Sequence, residues 1–137
     1  SNLQLLQRLG AEVAVSGPSE ILPTQGDWAG VRKFDTLADG ISWCTVCMGL
    51  RVQLERHPKG GIGLSLADYR DRYGIDTRQL QYLSKEALIM HPGPFVRGID
   101  FSAEVLLDPR CVVREQVANG VYLRAALLSM VLNWGER

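Results

Sequence analysis

With 137 residues, 46% of them hydrophobic and 22% charged, the chain is sized and composed for one globular domain, which excludes two well-packed cores and a disordered polar polymer. Fifteen basic side chains balance fifteen acidic ones, so no broad positive field exists to draw nucleic acid or an anionic membrane. No run reaches the apolar length of a membrane span, the amino terminus lacks a signal-peptide design, and the odd number of cysteines does not read as a disulfide framework, so a cytoplasmic setting is expected.

Leu3, Leu5, Leu6 and Leu9 recur at near-helical spacing ahead of Gly10, which predicts a short opening helix. Val13 and Val15 then lie on one side of an extended run that breaks at Gly17-Pro18, a strand ending in a turn. A weaker strand is expected over residues 31–34, after which Asp35 caps a single turn that Gly40 ends. The run "ISWCTVCMGL", from residue 41 to about residue 50, is nearly all apolar and predicts a central strand covered on both faces. In such a strand Cys44 and Cys47 point to opposite faces, so their C-x-x-C spacing reads as core thiols. With no second C-x-x-C and only His57 and His91 as imidazoles, no metal site is expected.

"HPKGGIG" is a loop, and Ser65 with Asp68 three residues on starts a helix through Arg72. Asp76 and Gln79 repeat the device ahead of "TRQLQYLS", and "ALIM" is a short buried strand that delivers the chain to His91. Val113, Val117, Val121, Ala125, Leu128 and Leu132 form a stripe at helical spacing that should pack on the sheet or on a partner domain. Asn119-Gly120 is a turn signal inside that stripe, yet the stripe keeps its phase, which predicts an unbroken helix with glycine answering close packing.

Alternating strands and helices give the fold class: α/β, a Rossmann-like three-layer sandwich with a mainly parallel sheet and a long C-terminal helix, residues 1–137 forming one domain. Loops at the carboxyl ends of parallel strands line the ligand crevice of such sheets, here residues 17–25, 51–56 and 91–98. Arg51 and Gln53, two apart, project to one side of an extended segment, where an arginine fork can hold a carboxylate and an amide can serve a polar neighbour. The alternative is a solvated, salt-bridged helix face built from Arg51, Glu55 and Arg56. In "HPGPFVRG", Pro92 and Pro94 remove two donors and stiffen a turn whose carbonyls at Pro92 and Gly93 face outward, with Gly93-Pro94 a candidate cis bond; an ordinary turn with His91 and Arg97 as routine residues is the competing reading. Glu115 and Gln116 either hold the crevice walls together or are solvated helix-start residues. Glycine-rich nucleotide signatures, a Walker lysine and G-x-S-x-G are absent, which disfavours nucleotide binding and serine hydrolysis.

Taken in order, "SNLQLLQRLGAEVAVSGPSEILP", R-x-Q-x-E-R at Arg51 to Arg56, H-P-G-P-x-x-R-G at His91 to Gly98 and "EQVANGVYLRAALL" resemble the carboxyl-terminal, aspartate-binding domain of the aspartate carbamoyltransferases. The ornithine-specific sister family is similar but carries a cysteine where Pro92 stands, which points to aspartate. The resemblance implies transfer of a carbamoyl group from carbamoyl phosphate to L-aspartate in pyrimidine biosynthesis, by positioning and electrostatics with no cofactor. It implies that Arg51 clamps an aspartate carboxylate with help from Gln53, and that the carbonyls around Pro92 and Gly93, with Pro94 cis, receive the amino group of carbamoyl phosphate. It also implies site support from His91 and Arg97, no catalytic group in this domain, a trimeric full-length enzyme, and a carbamoyl-phosphate-binding domain, with its S-T-R-T-R signature, that these 137 residues do not contain. The isolated chain is therefore expected to be inactive, and a non-catalytic binding or assembly module that keeps the fold is the alternative.

Overall fold

The structure is a computed structural model that describes residues 2–23, 25–52 and 64–133. Among the described residues, helix α1 (Asn2–Arg8) leads to strand β1 (Ala14–Ser16), β2 (Arg32–Phe34), α2 (Leu37–Trp43) and β3 (Val46–Met48). After them come α3 (Leu66–Tyr73), α4 (Thr77–Leu80), β4 (Leu88–Met90) and the long α5 (Val113–Asn133). Both strand pairs are parallel: β1 with β2, in the register Ala14 to Arg32, and β3 with β4, in the register Val46 to Leu88. Parallel strand pairs, with α3 and α4 crossing between β3 and β4, are the α/β pattern that the alternation in the sequence predicts.

The helix starts follow their side-chain caps. Ser65 Oγ accepts the Asp68 N–H at 3.1 Å and opens α3, and Asp76 Oδ1 accepts the Arg78 N–H at 2.8 Å and opens α4, which is a single turn. At α2 the cap is Thr36, not Asp35: its Oγ1 accepts the Asp39 N–H at 3.2 Å and its hydroxyl donates to Asp39 Oδ2 at 2.6 Å. So capped, the helix runs through Gly40 to Trp43 and takes in Ile41, so the expected end at Gly40 and strand start at residue 41 are both wrong. An apolar run has no periodicity to separate a buried helical turn from a strand, and here the cap decides. What remains of the expected central strand is Val46–Met48, with Val46 47% and Met48 37% exposed, so it is not covered on both faces.

Cys44 also leaves the strand: it caps the C-terminus of α2 and its Sγ donates to the Ile41 carbonyl at 3.4 Å. Cys44 therefore lies outside the strand that contains Cys47, and the opposite-faces geometry expected for the pair fails. Interaction with Cys47 holds the Cys44 thiol below its ordinary range, while interaction with Cys44 and burial push Cys47 up. Among the described residues no cluster of side chains suits a metal ion, and no helix is long and apolar enough to cross a membrane.

The core gathers Ile41, Ile75, Leu83, Ala87, Ile89, Phe101, Val105 and Val113. Ile89 is at its centre, fully buried, and β4 is bonded on both sides: β3 lies along one edge, and on the other the Ile89 N–H donates to the Arg110 carbonyl and the Val112 N–H to the Ile89 carbonyl, both at 2.9 Å. Arg110 fixes the entrance to β4, reaching the carbonyls of Leu83 at 2.9 Å and Leu80 at 3.3 Å while pairing with Asp108 at 2.8 Å.

Helix α5 is unbroken through Asn119-Gly120, as the phase of its stripe predicts, but the stripe is not packed on the sheet. Val113 is buried, whereas Val117, Val121, Leu128 and Leu132 are at least half exposed. Among the described residues, a Cβ at Gly120 would meet the Arg124 guanidinium, at 3.2 Å, the far end of a long side chain, so their packing does not require the glycine.

Burial separates Ile89 from the exposed end of α5 energetically. Ile89→Ala should lower the unfolding free energy by about 3 kcal/mol in urea titrations. Leu132→Ala, at an exposed site, should change it by less than about 0.5 kcal/mol, and equal effects would contradict this placement of the core.

Candidate functional site

Parallel strands send their carboxyl ends to the same edge. The ladder ends with Met48 beside Met90, and the Gly49 N–H extends it by donating to the Met90 carbonyl at 2.9 Å. The segment that continues to Arg51 and the turn that begins at His91 therefore leave the sheet side by side. Gly49 is required by this approach: a Cβ there would lie 2.5 Å from Phe101 Cε1 and 3.1 Å from His91 Cδ2. Arg51 is half-buried, while Gln53, its expected companion, lies outside the described residues together with Glu55 and Arg56.

The turn after β4 is built as its sequence suggests. Gly93 takes φ +65°, a left-handed conformation suited to a residue without Cβ, and the Gly93–Pro94 peptide is cis. Among the described residues nothing donates to the carbonyls of Pro92 or Gly93. Pro92, Gly93, Pro94, Phe95 and Arg97 line one side of an open cavity of about 610 Å³, closed on the other by Val113 and Val117 of α5. Arg97 is exposed at this rim, and Arg51 does not line the cavity.

Beneath the turn lies a buried polar layer. His91 is fully buried, with edge-on contacts to Phe95 at 5.5 Å and Phe101 at 5.3 Å between ring centroids. Its Nδ1 accepts the Gly93 N–H at 3.0 Å, which places the proton of the neutral ring on Nε2, an atom with no partner among the described residues. Its backbone N–H donates to Gln116 Oε1 at 2.8 Å, so the first turn of α5 is tied to the start of the H-P-G-P turn. Of the two readings of Gln116, the one that holds walls together is the one observed, and Glu115 is solvent-exposed.

Asp100 completes the layer, and spacing did not single it out. It is 5% exposed, and its two oxygens serve different loops: Oδ1 accepts the Val52 N–H at 3.3 Å and Oδ2 the Val96 N–H at 2.7 Å. One carboxylate thus joins the residue after Arg51 to the residue before Arg97. The only sequence signal for it is an acid set between Ile99 and Phe101 in an apolar run.

A family model described as the Asp/Orn binding domain of aspartate/ornithine carbamoyltransferase matches residues 1–131. The chain belongs to that family. It is 41% identical over 131 residues to an aspartate carbamoyltransferase catalytic subunit of Acetivibrio thermocellus, an alignment covering 96% of this chain and 42% of the relative. It is 40% identical over 137 residues to the one of Syntrophotalea carbinolica, covering 43% of that relative. The chain thus spans less than half the length of these relatives. Among solved structures, the fold is shared with ornithine carbamoyltransferase from Burkholderia thailandensis at a TM-score of 0.70, with 20% identity over 92% of this chain and 40% of that one. It is also shared with aspartate transcarbamoylase from Trypanosoma cruzi in complex with carbamoyl phosphate, at 0.67, with 18% identity over 93% of this chain and 52% of that one. These likenesses establish the Rossmann-like α/β fold of the carbamoyltransferase domain.

Burial lowers the pKa of His91 below its ordinary 6.5, with the Asp100 charge opposing part of the shift. Between the depressed folded value and 6.5 the unfolded chain binds a proton that the folded chain refuses, so stability is full above that window and falls as pH drops through it. Protonation would also remove the Nδ1 lone pair that holds Gly93. Asp76 and Asp108, both lowered by hydrogen bonds from arginine, act in a separate window below 3.8. Thermal melts between about pH 7.5 and about pH 5 should therefore show a loss that His91→Asn largely removes, and an identical slope in both proteins would contradict the assignment.

Proposed function

We propose that residues 1–137 act as one aspartate/ornithine-binding-type domain, the aspartate-binding half of an aspartate carbamoyltransferase. The observation that carries this reading is the side-by-side exit of the Arg51 segment and the H-P-G-P turn from the parallel β3–β4 ladder. The names of the relatives favour aspartate as the acceptor. In this reading the Arg51 guanidinium clamps a carboxylate of L-aspartate and Gln53 assists it. The carbonyls of Pro92 and Gly93, in the turn that contains Pro94, accept hydrogen bonds from the amino group of carbamoyl phosphate. His91 supports the turn from below, and Arg97 supports the site from the cavity rim.

The chemistry asked of these residues is positioning. The aspartate amine attacks the carbamoyl carbon, a C–N bond forms, the bond from that carbon to the phosphate oxygen breaks, and phosphate leaves with the bonding pair and takes up the proton that the amine nitrogen loses. A carboxylate held at Arg51 and an amino group held at the turn bring the two reacting atoms together, and the entropy of the encounter is lost on binding, before the reaction barrier. The reading requires no cofactor. It assigns the groups that stabilise the leaving phosphate to a carbamoyl-phosphate-binding domain, and the half-exposed Val117 and Val121 of α5 offer an apolar surface for such a partner. A trimeric full-length enzyme in the cytoplasm, serving pyrimidine biosynthesis, completes the reading.

Mixed with or joined to a carbamoyl-phosphate-binding domain, the chain should form N-carbamoyl-L-aspartate and phosphate, whereas the chain by itself should not. Arg51→Ala should lower kcat/KM for aspartate by about a hundredfold or more. Turnover by the isolated chain would overturn the half-site reading, and silence in every combination would favour a non-catalytic module.

A further inference from the structure

Arg51 and the H-P-G-P turn belong to separate loops, and a reaction that depends on their spacing needs something to fix it. The β3–β4 ladder aligns the two strand ends, but its last bond is the Gly49 N–H to the Met90 carbonyl. Beyond it, Leu50 to Val52 and Pro92 to Val96 have no regular pairing with each other. Asp100 spans them, and we propose that its carboxylate is the positioning residue that sets the distance between the carboxylate clamp at Arg51 and the carbonyls at Pro92 and Gly93. The inference rests on the functional reading above and adds a residue to it.

Three features support the assignment. Asp100 is buried, so an unpaired carboxylate there would be costly, and its two bonds are made to backbone N–H groups, which move with the loops that carry them. Its own position is fixed from the core as well as from the turn: the Ile75 N–H donates to its carbonyl at 3.0 Å and the neighbouring Phe101 is packed in the core, while its own N–H donates to the Val96 carbonyl at 3.0 Å. Moreover, each oxygen serves one loop, which is the arrangement expected of a spacer and not of a simple cap. Asp100 lies behind the loops and acts through the backbone.

Asp100→Asn tests this because an amide has one acceptor oxygen, so one of the two N–H groups must lose its partner, while Asp100→Glu keeps both acceptors on a longer arm. In the 137-residue chain, the Asn variant should raise hydrogen exchange at Val52 or Val96 by about tenfold, leave the Ile89 N–H unchanged, and be restored toward the parent by the Glu variant. Joined to the carbamoyl-phosphate-binding domain, the Asn variant should raise KM for L-aspartate by about tenfold with a smaller change in kcat, and the Glu variant should recover most of it. Unchanged exchange at both amides, or unchanged KM in the Asn variant, would overturn the proposal, as would a fall in kcat alone. A joined parent chain that forms no N-carbamoyl-aspartate would defeat the functional reading instead, and the exchange measurement would still decide whether Asp100 couples the loops.

Discussion

The parallel ladder between β3 and β4 is the constraint on which the rest of the site depends. Its register sets Met48 beside Met90, so two segments far apart in sequence emerge at one edge of one small sheet. An antiparallel pairing would send them to opposite ends, and Arg51 would never approach the H-P-G-P turn. The ladder is held from the core side by Ile89 and from the entrance by Arg110, whose bonds to the carbonyls of Leu80 and Leu83 fix where β4 begins.

Beyond the ladder the architecture changes from apolar packing to a buried polar layer. Burial of an imidazole, a carboxylate and an amide is costly unless each finds partners, and here His91 Nδ1, both oxygens of Asp100 and Gln116 Oε1 all accept backbone N–H groups. The partners belong to the turn, to the Arg51 segment and to the residues before Arg97. The layer thus uses side chains as a scaffold for loops that lack ladder bonds of their own, and among the described residues nothing donates to the carbonyls of Pro92 or Gly93. Gly49 and Gly93 serve the same end, one by admitting Phe101 and His91 at close range and the other by its left-handed backbone.

Much of this was legible in the sequence where the signal is local. Ser65 with Asp68, the strand in "ALIM" (buried at Ile89, with Leu88 exposed against expectation), the cis Gly93–Pro94 bond and the unbroken α5 follow from caps, short apolar runs and proline chemistry over a few residues. The error over residues 41–50 also has a local cause. An apolar run reads alike as strand or buried helix, and the Thr36 cap that decides it stands five residues upstream of Ile41. Asp100 was invisible for another reason: its bond to the Val52 N–H crosses 48 residues, and only the fold brings the two together. The stripe on α5 announced an apolar surface without saying what covers it, and most of that surface is exposed in this chain.

The account turns on the two loops presenting complementary groups to one ligand pair. A structure of the chain joined to a carbamoyl-phosphate-binding domain, with carbamoyl phosphate and succinate bound, tests this most directly, succinate being an aspartate analogue without the attacking amine. The account predicts the carbamoyl amino nitrogen within about 3 Å of the Pro92 and Gly93 carbonyl oxygens and a succinate carboxylate on the Arg51 guanidinium. A ligand pair bound elsewhere, or a turn whose carbonyls face away from it, would contradict it.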